Sequence, residues 1–171
     1  IFEDSHKINT IRDHRVGATF SLGRELSTWG DVRAGYARYS SSVRIDSGPS
    51  NPALQDFQGG EWFAQFLADS WDDAFFPTRG TLGLIRWVGS RPQIGADAEF
   101  DTLLADISLV GSVANTTFSA GLKIGETFNG TAPLQSGFRL GGLFNLPGYE
   151  NNELSGQNIF LLRTGVRRQM G

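Results

Sequence analysis

The chain has no cysteine, only one methionine and only two histidines among its 171 residues. Without cysteine it can form neither a disulfide framework nor a zinc–thiolate site. The net charge is −3 and the basic residues form no cluster, which gives no electrostatic basis for binding nucleic acid. His6 and His14 have no partner at ligand spacing, so the sequence predicts no metal site and no cofactor.

Long apolar runs are also missing, because none approaches the roughly 18 residues that a membrane-spanning helix requires. The first residues, Ile1 to Asp4, carry neither the basic segment nor the apolar stretch of a signal peptide, and there is no initiator Met. We therefore expect residues 1–171 to be a single segment of a longer protein, truncated at both ends. A β-barrel stays possible, since one barrel strand needs only about 9–11 alternating residues.

What the sequence has instead is period-two alternation, the pattern of half-buried β-strands. One face of each run is apolar, and the other is small, polar or charged. The five clearest runs lie around residues 16–22, 62–68, 103–109, 118–124 and 160–166. Two further runs, around residues 32–39 and 81–89, alternate less regularly. Arg86 and Trp87 interrupt the second of these, where we expect a β-bulge.

Two architectures fit this pattern. A soluble β-sandwich would bury the apolar faces, whereas a transmembrane barrel would turn them toward lipid. The predicted connections alternate between short, as in residues 24–31, and long, as in residues 40–60 and 126–158. Short turns at one end and long loops at the other are typical of outer-membrane barrels. We therefore predict an all-β chain with seven strands, between about Val16 and Met170, that forms part of an antiparallel transmembrane β-barrel. Seven strands are too few for a closed bacterial barrel, so further strands are expected outside this segment.

Two motifs carry a resemblance to the bacterial surface-antigen barrels, the superfamily of BamA, TamA and the FhaC-type transporters. The segment DSWDDAFFPTRG resembles the periplasmic turn of this family, D-x-x-D…F-P-T-x-G. Its matching residues are Asp69, Asp72, Pro77 and Gly80. The segment FRLGGLFNLPGYENNELSGQN is similar to the family's sixth extracellular loop, which folds back into the barrel lumen. Its matching residues are Gly141, Gly142, Pro147, Gly148 and Tyr149.

The resemblance implies a sixteen-stranded barrel in the bacterial outer membrane, behind periplasmic POTRA domains. It implies work in protein insertion or secretion, in contact with outer-membrane lipid and a translocated or inserted polypeptide. It implies no enzymatic chemistry within the barrel. The long loop looks most like that of the barrels fused behind patatin-like phospholipases of the PlpD type, in which the lipase is a separate upstream domain. Pro147 departs from the family pattern, which usually has arginine at this position.

The long loop would lie inside the barrel if its glycines adopt positive φ angles and Phe144, Leu146 and Tyr149 contact the inner wall. The alternative is a floppy surface loop. The carboxylates of the first motif are expected to accept backbone N–H groups, because no calcium-loop pattern accompanies them.

No catalytic site is predicted, since the segment around Ser119 lacks the G-x-S-x-G turn. Five charged residues are expected to form charge pairs on the inner face or to hold the long loop, with an active site as the alternative. They are Glu61, Asp69, Lys123, Arg163 and Arg167. Four aromatic residues are candidates for the girdles at the bilayer interfaces, with ordinary sheet packing as the alternative. They are Trp29, Tyr36, Trp62 and Trp71. Two other functions stay open, namely a passive pore or structural barrel, and a soluble β-sandwich binding module.

Overall fold

A computed structural model describes residues 2–3, 6–7, 10–47, 56–134, 136–142, 145–146 and 148–169 of the chain. Within these residues the protein is all-β apart from one 3-10 turn at Pro92–Ile94. The strands are β1 (Phe2–Glu3), β2 (His6–Lys7), β3 (Thr10–Glu25), β4 (Gly30–Ser47), β5 (Phe57–Asp69), β6 (Gly80–Ser90), β7 (Phe100–Val113), β8 (Thr116–Phe128), β9 (Phe138–Leu140), β10 (Leu154–Gly156) and β11 (Asn158–Arg168). No helix among the described residues has the length and hydropathy needed to cross a membrane.

Seven long strands form one antiparallel sheet in the order β11-β8-β7-β6-β5-β4-β3. Strands that are consecutive in the chain lie side by side, except that the short hairpin β9–β10 is inserted between β8 and β11. The sheet is not closed, and β3 and β11 are its edges. These strands are the seven that alternation predicts, so the prediction of an all-β segment of an antiparallel barrel is confirmed.

The register divides the sheet into two faces, because residues directly opposite each other on paired strands point to the same side. One row of opposite residues crosses six strands and consists of Val32, Phe66, Ile85, Ala105, Ile124 and Phe160. We call the side that carries this row the apolar face. The polar face is the other side, which carries Gln65, Arg86, Asp106, Lys123 and Arg163 among its residues.

The β-bulge expected at Arg86 and Trp87 is wrong. Arg86 pairs with Gln65 on one side and with Leu104 on the other, and the register continues unbroken through Trp87. Arg86 therefore lies on the polar face and Trp87 on the apolar face, as ordinary alternation requires. The run looks irregular because three apolar side chains of β6 point to the polar face. They are Leu82, Leu84 and Val88.

The apolar face has no protein layer over it within the described part of the chain. Phe20 is 67% exposed and Phe118 is 51% exposed. The buried hydrophobic residues are few and lie elsewhere, namely Phe57, Phe63, Ala96, Phe100 and Ala132. A soluble sandwich would cover such a face with a second sheet about 10 Å away. Contiguous exposed apolar surface of this kind is typical of a membrane or interaction surface.

The connections are segregated by length. The links at one end, which we call the turn end, are residues 26–29, 70–79 and 114–115. The links at the opposite end, the loop end, are residues 48–56, 91–99 and 129–157, of which 48–55 lie outside the described residues. The loop predicted at residues 40–60 is too long, since residues 40–47 continue β4 and residues 57–60 begin β5. These residues are mostly polar or glycine, so the sequence pattern did not indicate that their backbone continues the strand pairing.

Candidate functional site

The centre of the polar face holds a charge cluster built from three strands. Lys123 Nζ of β8 lies 3.3 Å from Asp106 Oδ2 of β7, directly opposite in the register. Arg163 of β11 reaches the same carboxylate from two strands away, and its Nη2 donates a 2.6 Å hydrogen bond to Oδ1. Arg163 crosses β8 at Gly121, where a Cβ would lie 3.0 Å from Arg163 Nε. A glycine is therefore what allows one carboxylate to bind two cations.

Arg163 also joins the sheet to the long loop. Its Nη1 donates to Asn145 Oδ1 at 3.4 Å, which is close to the outer limit for a hydrogen bond. The sequence predicts that Arg163 forms a charge pair or holds the loop, and in the structure it makes both contacts. The two partners, Asp106 and Asn145, were not singled out, because the sequence does not show which polar-face residues meet across strands.

The long loop begins with a sharp bend after β8. Asn129 has φ 54° and Gly130 has φ 141°, and a Cβ on Gly130 would overlap the carbonyl oxygen of Glu99. Ala132, which is 2% exposed, then packs with Phe57 and Phe100 at the loop end of the polar face. The bend therefore directs the loop back over the polar face.

Three further contacts hold the loop there. Gln157 forms a reciprocal pair with the backbone of Ala132, accepting from its N–H at 3.0 Å and donating to its carbonyl at 2.8 Å. Ser136 Oγ lies 3.3 Å from the hydroxyl of Tyr39. The ring of Phe138 lies over Gly125, where a Cβ would come within 2.8 Å of it. The loop is thus packed against the sheet around Ala132, Ser136, Phe138 and Gln157.

The loop motif residues form a compact tip. Gly141, Gly142 and Gly148 have φ angles of 131°, 92° and 102°, a region that favours glycine. The N–H of Gly142 donates to the carbonyl of Tyr149 at 3.0 Å. Pro147 and Phe144 lie outside the described residues. Tyr149 is 45% exposed, and the contacts with the polar face reported above come from Ser136, Phe138 and Asn145 instead.

At the turn end, the motif residues of the β5–β6 turn form a dense hydrogen-bond network. Asp72 Oδ1 accepts from the N–H groups of Thr78 at 2.8 Å and Arg79 at 3.1 Å, and Oδ2 accepts from the Thr78 hydroxyl. These bonds, led by the Thr78 hydroxyl, lower the pKa of Asp72 to about 2. Asp69 Oδ1 accepts from the N–H of Trp71 at 3.1 Å.

Asp73 accepts from the N–H groups of Phe76 at 2.7 Å and Phe75 at 2.8 Å. These two bonds lower the pKa of Asp73 as well. Gly80 closes the turn with φ 115°, and a Cβ there would overlap the carbonyl oxygen of Ser70. Hydrogen bonds within the turn therefore hold its backbone in one conformation.

The β5–β6 turn extends over the polar face as far as β11. Arg167 Nη2 donates to the carbonyl oxygens of Phe76 at 3.1 Å and Pro77 at 3.0 Å. The guanidinium also lies 5.4 Å from the centroid of the Phe76 ring. Ser112 Oγ of β7 donates to the Thr78 carbonyl at 2.8 Å. The turn thus bridges β7 and β8 to reach the edge strand.

A recess of about 480 Å³ lies between this turn and the polar face. Trp71 and Pro77 line it from the turn, with Arg163 among the residues that line it from the sheet. Trp71 is therefore on the polar side, and its interpretation as a girdle aromatic is wrong. Trp62 does lie on the apolar face and is 49% exposed. The centroids of the Trp62 and Tyr36 rings are 5.3 Å apart.

A sequence model of the Omp85 superfamily domain matches residues 2–168, almost the whole chain. The chain belongs to the Omp85 superfamily. The resemblance to the surface-antigen barrels is thereby confirmed. Omp85 proteins are a family that inserts proteins into the outer membrane or secretes them across it. The Omp85 domain itself is not an enzyme domain. A comparison with curated proteins found no match.

One further ion pair fixes the loop end of this Omp85 segment. Asp101, only 2% exposed, accepts two hydrogen bonds from Arg91 Nη2, at 2.9 Å and 3.0 Å. It also accepts from Asn129 Nδ2 at 2.9 Å. One carboxylate thus ties the β6–β7 loop to the first residue of the long loop.

The described residues of the Omp85 segment do not assemble a metal centre. No group of three or more His, Asp or Glu side chains in that part of the chain lies close enough together to hold an ion. The carboxylates of the β5–β6 turn are instead occupied by backbone N–H groups, as described above.

Proposed function

We propose that this Omp85 segment is part of a barrel in the bacterial outer membrane that carries or inserts polypeptide chains along its polar face. The observation that carries the proposal is the asymmetry of the sheet. One face is apolar and uncovered. The other holds the cluster of Asp106, Lys123 and Arg163 beneath a folded-back loop.

The physical reason lies in the cost of exposing backbone to lipid. Each unpaired backbone N–H or C=O group in the hydrocarbon core costs several kcal/mol. A polypeptide that moves along the polar face avoids that cost, because its backbone groups can form hydrogen bonds with hydroxyl groups, charged side chains and the exposed backbone at glycines. Ser108, Ser119 and Gly121 provide such groups beside Arg163. The apolar face, in turn, would contact outer-membrane lipid.

The long loop would have to yield when a polypeptide passes. Its root stays packed through Ala132, Phe138 and Gln157. However, the bond from its tip to the sheet, between Asn145 and Arg163, is long at 3.4 Å and joins a neutral acceptor to an arginine that Asp106 already binds. Such a bond contributes little stability and breaks at low cost. With short turns on the periplasmic side, as in other barrels, the long loop would enter from the outer surface. We place the remaining strands and a POTRA domain elsewhere in the full-length protein.

A finer proposal is that the passenger is a patatin-like phospholipase domain of the same polypeptide, either translocated or anchored by the barrel. Its support is the similarity of the segment LGGLFNLPGY to the loops of barrels fused to such lipases. Lipase activity measured on intact cells that express the full-length protein tests it. Absence of a lipase domain from the full-length sequence would contradict it and leave the transport proposal in place.

The transport proposal is tested by shortening the loop tip. In the full-length protein, residues 142–149 are replaced by a short Gly-Ser linker, and passenger transport is compared with that of the native protein. We expect a folded, heat-modifiable barrel with impaired transport. Unimpaired transport would argue against a role for the loop. A barrel that conducts ions but transports no polypeptide in its native form would indicate a passive pore.

A further inference from the structure

The β5–β6 turn makes a contact that its own strands do not require. β6 is separated from β11 by β7 and β8, so the two strands lie about 14 Å apart along the sheet at three spacings of about 4.8 Å. A turn that only joined β5 to β6 could end beside them. Instead, the carbonyls of Phe76 and Pro77 meet Arg167 of β11.

The turn is preformed rather than shaped by this contact. The carboxylates of Asp72 and Asp73 each accept two backbone N–H groups within residues 75–79. Ser70 and Thr81 exchange a further pair of bonds at the base of the turn, through the Thr81 carbonyl at 2.8 Å and the Ser70 hydroxyl at 2.9 Å. A segment with this many internal bonds moves as one rigid body about its base.

Its position matters because it covers the turn end of the polar face. The recess beneath it is bounded by Trp71 and Pro77 on one side and by Ser119, Gly121 and Arg163 on the other. These sheet residues lie beside the central charge cluster. A polypeptide that moves along the polar face of β7, β8 and β11 toward the turn end therefore passes beneath the turn or displaces it.

We propose that residues 70–79 form a rigid flap that narrows the path along the polar face at the turn end, and that Arg167 holds this flap in place. The inference rests on the proposed function, in which a polypeptide moves along the polar face. Arg167 suits this role because its planar guanidinium donates to two adjacent carbonyls and lies near the Phe76 ring. Ser112 Oγ supplies a second, weaker tie through the Thr78 carbonyl.

The test uses the full-length protein in planar bilayers. Arg167→Ala is expected to increase single-channel conductance, since the flap loses its bond to the edge strand. Arg168→Ala is the matched control, because it removes the same charge from the next residue, which points to the apolar face. Arg167→Lys keeps the cation but loses the planar guanidinium that lies over the Phe76 ring, and should fall between Arg167→Ala and the native protein. Equal conductance of Arg167→Ala and Arg168→Ala would overturn the proposal.

A second experiment tests the opposite change, in which the flap is held to β11 instead of released. The segment has no cysteine, so Phe76→Cys and Arg167→Cys can be joined by a short, cleavable bifunctional thiol reagent, with other cysteines of the full-length chain removed. We expect the cross-link to lower conductance and its cleavage to restore it. The pair Phe76→Cys and Arg168→Cys should not cross-link efficiently. Conductance that is indifferent to the Phe76–Arg167 cross-link would overturn the flap.

The two proposals fail in different ways. If transport is normal and conductance does not respond to either manipulation, the flap is wrong and the transport function stands. If the native barrel transports no polypeptide but conductance rises in Arg167→Ala, the flap stands on a passive pore.

Discussion

Arg163 on β11 binds Asp106 on β7 across the intervening strand β8, with 2.6 Å between Nη2 and Oδ1. The pair links strands that share no backbone hydrogen bonds. It also sets the place where Asn145 of the long loop meets the sheet. One arginine thus joins β7, β11 and the long loop.

The first prediction concerns the glycine that Arg163 crosses. Gly121→Ala would place a Cβ 3.0 Å from Arg163 Nε and 3.2 Å from Ser108 Oγ, so these side chains must shift by a few tenths of an ångström. Because Asp106 holds Arg163 in place, we expect a loss of about 1 kcal/mol in the free energy of unfolding, the lower end for overpacked sites. Urea unfolding of the full-length barrel in detergent measures it.

Gly111→Ala is the control for that experiment. Gly111 also lies within a long strand, but a Cβ there would meet nothing within 4 Å. Its substitution should leave the free energy of unfolding nearly unchanged. Equal effects at the two glycines would show that Arg163 does not depend on the space above β8.

The second prediction compares the two faces of β7. Ala105 lies in the apolar row and Ser108 on the polar face. Ala105→Arg should lower the free energy of unfolding in a bilayer by about 2–4 kcal/mol, the cost of arginine at the bilayer midplane. Ser108→Arg should be milder, because Ser108 lines the recess on the polar face, away from the hydrocarbon. Similar losses at both positions would contradict the assignment of the faces.

The third prediction is a pH dependence of the β5–β6 turn. The folded pKa of Asp72 is lowered to about 2 from an ordinary 3.8, so its ionised form stabilises the turn fully above about pH 4. That contribution is lost as the pH falls toward 2. Carbon NMR of the Asp72 carboxyl group should show the lowered pKa. Asp72→Asn should remove this pH dependence, and titration near 3.8 would contradict the network.

The fourth prediction concerns the ion pair at the root of the long loop. Asp101→Ala leaves Arg91 Nη2 without its carboxylate acceptor and Asn129 Nδ2 without its acceptor. Breaking a buried pair costs about 3–5 kcal/mol, but Arg91 is 29% exposed, so we expect a smaller loss of about 2 kcal/mol. Arg33→Ala, which breaks the exposed pair with Asp31, should cost less than about 1 kcal/mol. Thermal unfolding of both variants measures the difference.

The strands and the two faces could be predicted from the sequence because alternation depends only on local spacing. Apolar residues occupy every second position from Val16 to Leu22, and this pattern is visible without knowing which strands pair with β3. Capping by Asp72 and Asp73 could also be predicted, since Asp accepts nearby backbone N–H groups in turns. These features need no knowledge of distant contacts.

The contacts across the polar face could not be predicted in the same way. Which charges meet depends on the register of several strands at once, as for Arg163 and Asp106. The contact of the β5–β6 turn with Arg167 spans β7 and β8, so it depends on the order and register of several strands. Leu82 and Leu84 misled the prediction at β6, because a polar face covered by other segments can also accept apolar side chains.

The most direct test of the account asks what surrounds the apolar face. Phe118 and Ser119 are neighbours on β8 with opposite facing. Single nitroxide spin labels are placed at Phe118→Cys or Ser119→Cys in the full-length barrel, reconstituted in lipid. We predict that oxygen, which concentrates in hydrocarbon, relaxes the label at 118 more strongly, and that a water-soluble nickel chelate relaxes the label at 119 more strongly. Equal access of both reagents at the two positions, or the reverse preference, would contradict a lipid-facing apolar surface.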